Sequence, residues 1–233
     1  KYETGHRSAT STASAQQSSS SSSNIVVKPN VYSWRSNSVY NFFVSHYNYN
    51  RSLNSHMIKN TEWGAVAYLS HSSYGINTEV RINNNSNFKT GYSALKQPTT
   101  YPATSGDGDN YNSTYNTING YLASTTGNIY GIYDIGGGAH EYTASYRSNT
   151  LGSSGFTSST IKNSTFTELS QASIMQNRIL GDATGEMGAF SSYLDADNFK
   201  RYRNSWYKHN SNFADSSNPW FTRGGRFALG VRA

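Results

Sequence analysis

Gly127-Asn-Ile-Tyr-Gly-Ile-Tyr-Asp-Ile-Gly-Gly-Gly-Ala-His-Glu-Tyr142 is the stretch that decides how the rest of the chain is read. Glycines at 131 and 136 to 138 permit tight turns with positive φ, and the set Ile129, Tyr130, Ile132, Tyr133 and Ile135 suits a short strand running into a loop. Asp134 and Glu141 are expected to accept backbone or Arg hydrogen bonds inside that loop system, a structural role rather than a catalytic one. Near the C-terminus Trp220-Phe-Thr-Arg-Gly-Gly225 echoes the pattern. Gly136, Gly137, Gly138, Gly224 and Gly225 are thus the candidate turn-shaping positions. Both stretches read as packing and turn signatures, not as a reaction centre.

On the N-terminal side, Ile25-Val-Val27 reads as a first strand. Residues 37 to 49 place Val39, Tyr40, Phe42, Phe43 and Tyr47 on one helical face, with Asn37 or Ser38 as N-cap. A second helix is expected over Thr61 to Leu69, capped by Asn60 or Thr61, with Trp63, Val66, Ala67 and Leu69 inward. Two helices followed by Gly- and Asn-rich loops and short strands make the chain α+β. Residues 77 to 126 read as long irregular loops, which in a compact domain are functional or tied down by ions or side-chain networks. Asp107 with Asp109, and Asp195 with Asp197, group hard oxygen ligands, so calcium is the cofactor the sequence offers. Neither pair completes an EF-hand, and a solvated turn is the alternative.

Residues 6 to 24 contain a serine run and almost nothing to bury. They predict a flexible linker or stalk over residues 1–24, tethering a single domain over 25–233. The start at Lys1 without Met predicts a processed or trimmed end.

Composition narrows the function by exclusion. The chain has 233 residues and no cysteine, hence no disulfide, thiolate zinc site or thiol nucleophile. Its six histidines form no His-x-x-x-His or His-x-His pair, no Gly-x-Ser-x-Gly occurs, and no Gly-Lys-Ser or Gly-Lys-Thr follows the glycines. Only 14% of residues are charged, while 19 are tyrosines set among abundant Ser, Asn, Thr and Gly. Such a surface meets varied ligands with rigid aromatic area and adaptable hydrogen bonds. The formal charge of +6 resides in the last segment, where Lys200, Arg201, Arg203, Lys208, Arg223, Arg226 and Arg232 face only Asp215. Basic residues interleaved with rings suit nucleic acid, an anionic glycan or an acidic protein surface; the alternative is structural, with several of the rings in the core and several Arg heads capping sheet edges or bridging loops. No nucleic-acid motif accompanies them.

Three segments in order resemble the formylglycine-generating enzyme (sulfatase-modifying factor) family. Met57 to Tyr68 is similar to its conserved helix, Gly127 to Tyr142 to its Asn-x-x-Gly-Leu-Tyr-Asp-Met-x-Gly-Asn-Val-Trp-Glu-Trp segment, and Arg223-Gly-Gly225 to its Arg-Gly-Gly-Ser-Trp turn. The resemblance implies a C-type-lectin-like fold. It does not carry the activity over, because those enzymes use cysteine thiols to bind copper, and His140 and Gly138 stand where the family has Trp and Asn. Cysteine-free members resemble the variable proteins of diversity-generating retroelements and the surface-displayed or phage-borne domains of gut bacteria. That implies a ligand-facing set at Trp206, Tyr207, His209, Trp220, Phe221, Arg223, Arg226 and Phe227. The family continues to a terminal Gly-Phe-Arg strand where this chain stops at Gly230-Val-Arg-Ala233, which implies a compressed strand or a missing terminus.

The expected function is therefore a non-enzymatic recognition domain, extracellular, on a cell surface or on a virion, binding a protein or glycan receptor. The alternative is a structural subunit of a filament, pilus or virion, a homo-oligomer or fibre using the same surface for subunit contacts. No apolar run is long enough to span a bilayer.

Overall fold

Helix α1 (Val39–Tyr47) forms where the apolar spacing places it, and Ser38 caps it: its hydroxyl accepts from the Asn41 amide at 3.2 Å. In this computed structural model, residues 1–78, 80–94, 113–147, 151–157, 160, 176–178 and 219–224 are described, without the side chains of 147 and 176–178. Helix α2 (Asn60–Ser70) starts one residue earlier than the sequence suggests. Its cap is Lys59, whose backbone N–H donates to the Glu62 carboxylate at 2.9 Å while its ammonium lies 3.0 Å from the same group. Trp63 and Ala67 face inward as expected, but Leu69 is 54% exposed and Ser70 takes the buried position.

The strands are short. β1 (Gly5–His6) pairs antiparallel with β2 (Ile25–Val26), and β3 (Tyr92–Ser93) with β4 (Ser113–Thr114). The main sheet has β5 (Glu141–Arg147) in its centre, parallel to β6 (Gln176–Arg178) on one side and antiparallel to β7 (Trp220–Arg223) on the other. The β5–β7 register slips between Tyr142 and Tyr146. Together these make a mixed α+β protein with much irregular structure. No strand forms over 129–135: Tyr130 and Ile132 point outward but Tyr133, Asp134 and Ile135 are all buried, so the alternation breaks, and among the described residues that stretch has no ladder partner.

Two apolar clusters hold the elements together. Val39, Phe43 and Tyr47 of α1 pack with Met57, Ala144, Tyr146, Phe156 and Trp220. The Trp220 ring stacks on Tyr146 and Phe156, each at 5.1 Å. Beneath α2, Trp63 and Ala67 pack with Val80 and Ile135.

The N-terminal tract is packed against the rest of the chain, not free as its composition leads one to expect. Gly5–His6 is a strand, Ala15 is fully buried, and the Arg35 amide donates to the Ala15 carbonyl at 3.1 Å. The Trp34 indole donates to Gln17 O at 3.0 Å and the Asn37 amide to Ser19 O at 2.7 Å. The tract's backbone carbonyls at Thr12, Ala15, Gln17 and Ser19 accept from Trp34, Arg35 and Asn37. It covers a core instead of contributing one, which is why it has so few apolar residues.

Candidate functional site

Asp134 anchors the loop system. It takes a left-handed conformation, φ 62°, and its carboxylate accepts from the Gly91 amide at 2.9 and 3.0 Å, from the Asn83 side chain at 2.9 Å and from the Glu3 amide at 3.2 Å. One side chain thus ties the 83–91 loop and the N-terminus to the central segment, as the sequence leads one to expect of Asp134. The long loop is held by side-chain networks in its described part: the Asn83 amide also donates to Lys89 O at 2.7 Å.

The two glycine turns are bonded to each other. Gly137 N–H donates to Gly224 O, Gly138 N–H to Asn83 O, and Asn83 N–H to Gly136 O, each at 2.7 Å. Gly137 has φ +80°, and a Cβ there would lie 2.3 Å from the Asn83 carbonyl oxygen, so only glycine fits. Gly225 lies outside the described residues.

Three of the expected ligand-facing residues are core residues instead. Trp220 and Phe221 are each 3% exposed and Arg223 is fully buried. Side chains alternate across a strand, and all of β7 is buried, so both of its faces are covered. Arg223 Nε donates to Asn60 Oδ1 at 2.6 Å, and its guanidinium lies 4.9 Å from the centre of the Trp63 ring. It therefore braces β7 against the start of α2. Trp206, Tyr207, His209, Arg226 and Phe227, and the calcium candidates Asp107, Asp109, Asp195 and Asp197, lie outside the described residues.

A cavity of about 350 Å³ opens between the N-terminal segment, α1, α2 and the loop from Ile132 to Tyr142. Trp34, Phe42, Met57, Ile58, Trp63 and Val66 make much of its wall, and Glu3, Asp134, Glu141, His46 and His56 reach it. Val27, Ile132 and Tyr142, each between 38% and 39% exposed, mark its mouth.

Most of its polar groups are already engaged. The Glu3 carboxylate accepts from Ser33 Oγ at 2.6 Å and from the Ala139 amide at 3.2 Å. The His46 Nδ1 faces Phe42 O at 2.6 Å and so carries the proton, leaving Nε2 to accept from the Thr4 hydroxyl at 2.6 Å. Burial lowers the pKa of His46, consistent with that neutral ring. His56 faces acceptors on both nitrogens, Glu62 at 3.0 Å and Asn54 O at 2.7 Å, which favours the imidazolium. The Glu62 hydrogen bond raises the pKa of His56. Burial pushes Glu62 up, but hydrogen bonds from His56 and Lys59 outweigh it and hold the carboxyl down at about 2.

Glu141 differs from these groups. Both carboxylate oxygens are buried against Gly224, and among the described residues neither accepts a hydrogen bond from another residue. Among the described residues its expected loop hydrogen bonds are not made. Burial first, then the charges of Glu3 and Asp134, push it well above the carboxylate range. Burial likewise carries Asp134 to about 6, against the hydrogen bonds it accepts. The Trp63 indole N–H, on a side chain 2% exposed, is also unpartnered.

Glu3, His46 and His56 come to the cavity from segments that show no motif in the sequence, and only the tertiary fold brings them beside Asp134 and Glu141. Among the described residues no group of three His, Asp or Glu is placed to hold a metal ion, and no helix is long and apolar enough to cross a membrane. No family model matches the chain, and neither the curated proteins nor the solved structures contain a match to it.

Proposed function

We propose that this chain is a recognition domain on a C-type-lectin-like frame of the formylglycine-generating enzyme type, displayed outside the cell or on a virion, and that it binds a protein or glycan receptor. One observation carries the reading: the three segments that resemble the family meet at one point. Trp63 of the first lies under Arg223 of the third, Glu141 of the second pairs in register with Arg223, and the glycine turns of the second and third are bonded at 2.7 Å. Distant segments that share a family's order would converge in this way if they share its frame.

With Trp220, Phe221 and Arg223 assigned to the core, the aromatic and basic face falls to Trp206, Tyr207, His209, Arg226 and Phe227, the positions that diversification by a retroelement would rewrite. Exposed loop tyrosines such as Tyr74 at 88% and Tyr130 at 82% add area of the same kind. The test is a printed glycan array and a panel of intact cells, probed with the parent chain and with a Trp206→Ala, Tyr207→Ala, Arg226→Ala triple variant. Binding lost by the variant with an unchanged melting transition supports the reading. A parent chain that binds nothing and sediments as a concentration-dependent polymer replaces it with the filament-subunit alternative.

A further inference from the structure

The recognition reading leaves the cavity unused. Its walls come from both apolar clusters: Phe42 packs against the first, Ile58 and Val66 against the second, and all three remain partly exposed. At the mouth, Val27 and Ile132 are 38% exposed and Tyr142 39%. Apolar surface left open around a concave site is surface that a ligand can take out of water. Two of the lining rings, Trp34 and Phe42, meet edge to face with their centres 5.1 Å apart. A further planar ring adds to such a pair by packing edge-on or offset against it. The volume of about 350 Å³ lies at the small end of ligand sites, which suits one or two fused rings.

The polar groups around the cavity decide the charge of its occupant. Thr4 is bonded to His46, His56 to Glu62, and Glu3 to Ser33 and Ala139, while Asp134 accepts from Gly91, Asn83 and Glu3. The Glu141 oxygens and the Trp63 indole N–H are closed off by burial, so no ligand reaches them. The Lys1 ammonium stands over the rings of Tyr2 and of the exposed Tyr130, 5.7 and 5.9 Å from their centres. A charged ligand would therefore give up its hydration without gaining a counter-charge in the apolar walls, whereas an uncharged one has no such cost.

We propose that the cavity binds a small uncharged aromatic molecule of one or two fused rings, held by apolar contact with Phe42, Ile58 and Val66 and covered at the mouth by Val27, Ile132 and Tyr142. The proposal is independent of the recognition reading, since it uses none of the residues assigned to the receptor.

The experiment is calorimetric titration of the full chain with 2-naphthol, 2-naphthoate, 2-naphthylmethylamine and N-acetyltryptophanamide. Naphthol should bind with a negative heat-capacity change. The anionic and cationic analogues should each bind about tenfold or more weaker, because their charge must be desolvated. N-acetyltryptophanamide should also be weaker, since a cavity enclosed by the N-terminal segment, both helices and the 132–142 loop takes a free ring rather than one tethered to a peptide. Val66→Phe fills the wall and Val27→Trp fills the mouth, and each should lower naphthol affinity about tenfold or more; Val27→Trp, at an exposed position, should melt with the parent. Leu69→Phe, on the exposed face of α2, should bind as the parent does. Absence of naphthol binding, a charged analogue or the tryptophan derivative binding as tightly as naphthol, or affinity unchanged in the filling variants overturns the inference. Receptor binding on arrays or cells without naphthol binding removes this inference and leaves the recognition reading standing; naphthol binding by a chain that binds nothing on arrays or cells does the reverse.

Discussion

Replacing Arg223 by Ala separates a brace from a ligand contact. The wild-type guanidinium is fully buried, donates to a fully buried Asn60 at 2.6 Å and lies 4.9 Å from the Trp63 ring centre. A hydrogen bond from a charged donor contributes about 1.5–3 kcal/mol, and a desolvated cation–π contact about 2 kcal/mol. Losing both comes to about 4 kcal/mol, typical of breaking a buried polar network. For a chain of this length each kcal/mol shifts the midpoint by about 2–4 °C, so the variant should melt about 8–16 °C lower. A double-mutant cycle with Asn60→Ala, followed by urea denaturation and tryptophan fluorescence, should give a coupling of about 1.5 kcal/mol or more. A variant that melts within about 2 °C of the parent while losing receptor binding would refute the brace and return Arg223 to the ligand-facing set.

The buried acids predict a stability that grows on acidification. A carboxyl whose folded pKa is raised stabilises the fold fully below its unfolded value, and that stability is lost as pH rises through the folded one; Asp134 at about 6, in place of 3.8, amounts to about 3 kcal/mol at most. Glu3 and Glu141 shift the same way, burial being the main cause in each, and His56, raised by Glu62, also favours the lower pH. His46 and the Lys1 α-amino group, both lowered by burial, oppose this as pH falls, so the test is differential: Asp134→Asn should remove part of the parent's gain in melting temperature between pH 8 and pH 5, and a variant with the parent's slope would contradict the burial of Asp134. Gly137→Ala places a methyl 2.3 Å from Asn83 O at φ +80°, and should cost about 3 kcal/mol or prevent folding, as read by urea denaturation. Limited trypsinolysis should spare Arg7, whose guanidinium donates to Ser23 O at 2.8 Å and Ile25 O at 3.2 Å, whereas a flexible stalk would be clipped there first.

The local elements were legible because their causes are local. Ser38 before an apolar face spaced at helical period announces α1, and Trp63, Val66 and Ala67 announce α2, whose exact start depends on a lysine cap that sequence preference does not favour. Gly137 and Gly224 were legible as turns, since positive φ has few other solutions, but their mutual hydrogen bond was not. The serine tract misled because composition reports how little a segment can bury, not whether another segment offers donors to its backbone carbonyls: the Trp34 indole, the Arg35 backbone amide and the Asn37 side chain do.

By itself the sequence determined the α+β class, the two helices, the turn glycines and the absence of thiol chemistry, all of which follow from residue type and spacing along the chain. Tertiary structure alone decided that Arg223 points into the core and not at a ligand, and that Asp134 accepts from several residues while Glu141, among the described residues, accepts from no other residue. It also decided that Glu3, more than a hundred residues away in sequence, shares a cavity with both. Burial and partnership are properties of what surrounds a side chain, and the surroundings here come from segments whose meeting no local pattern encodes.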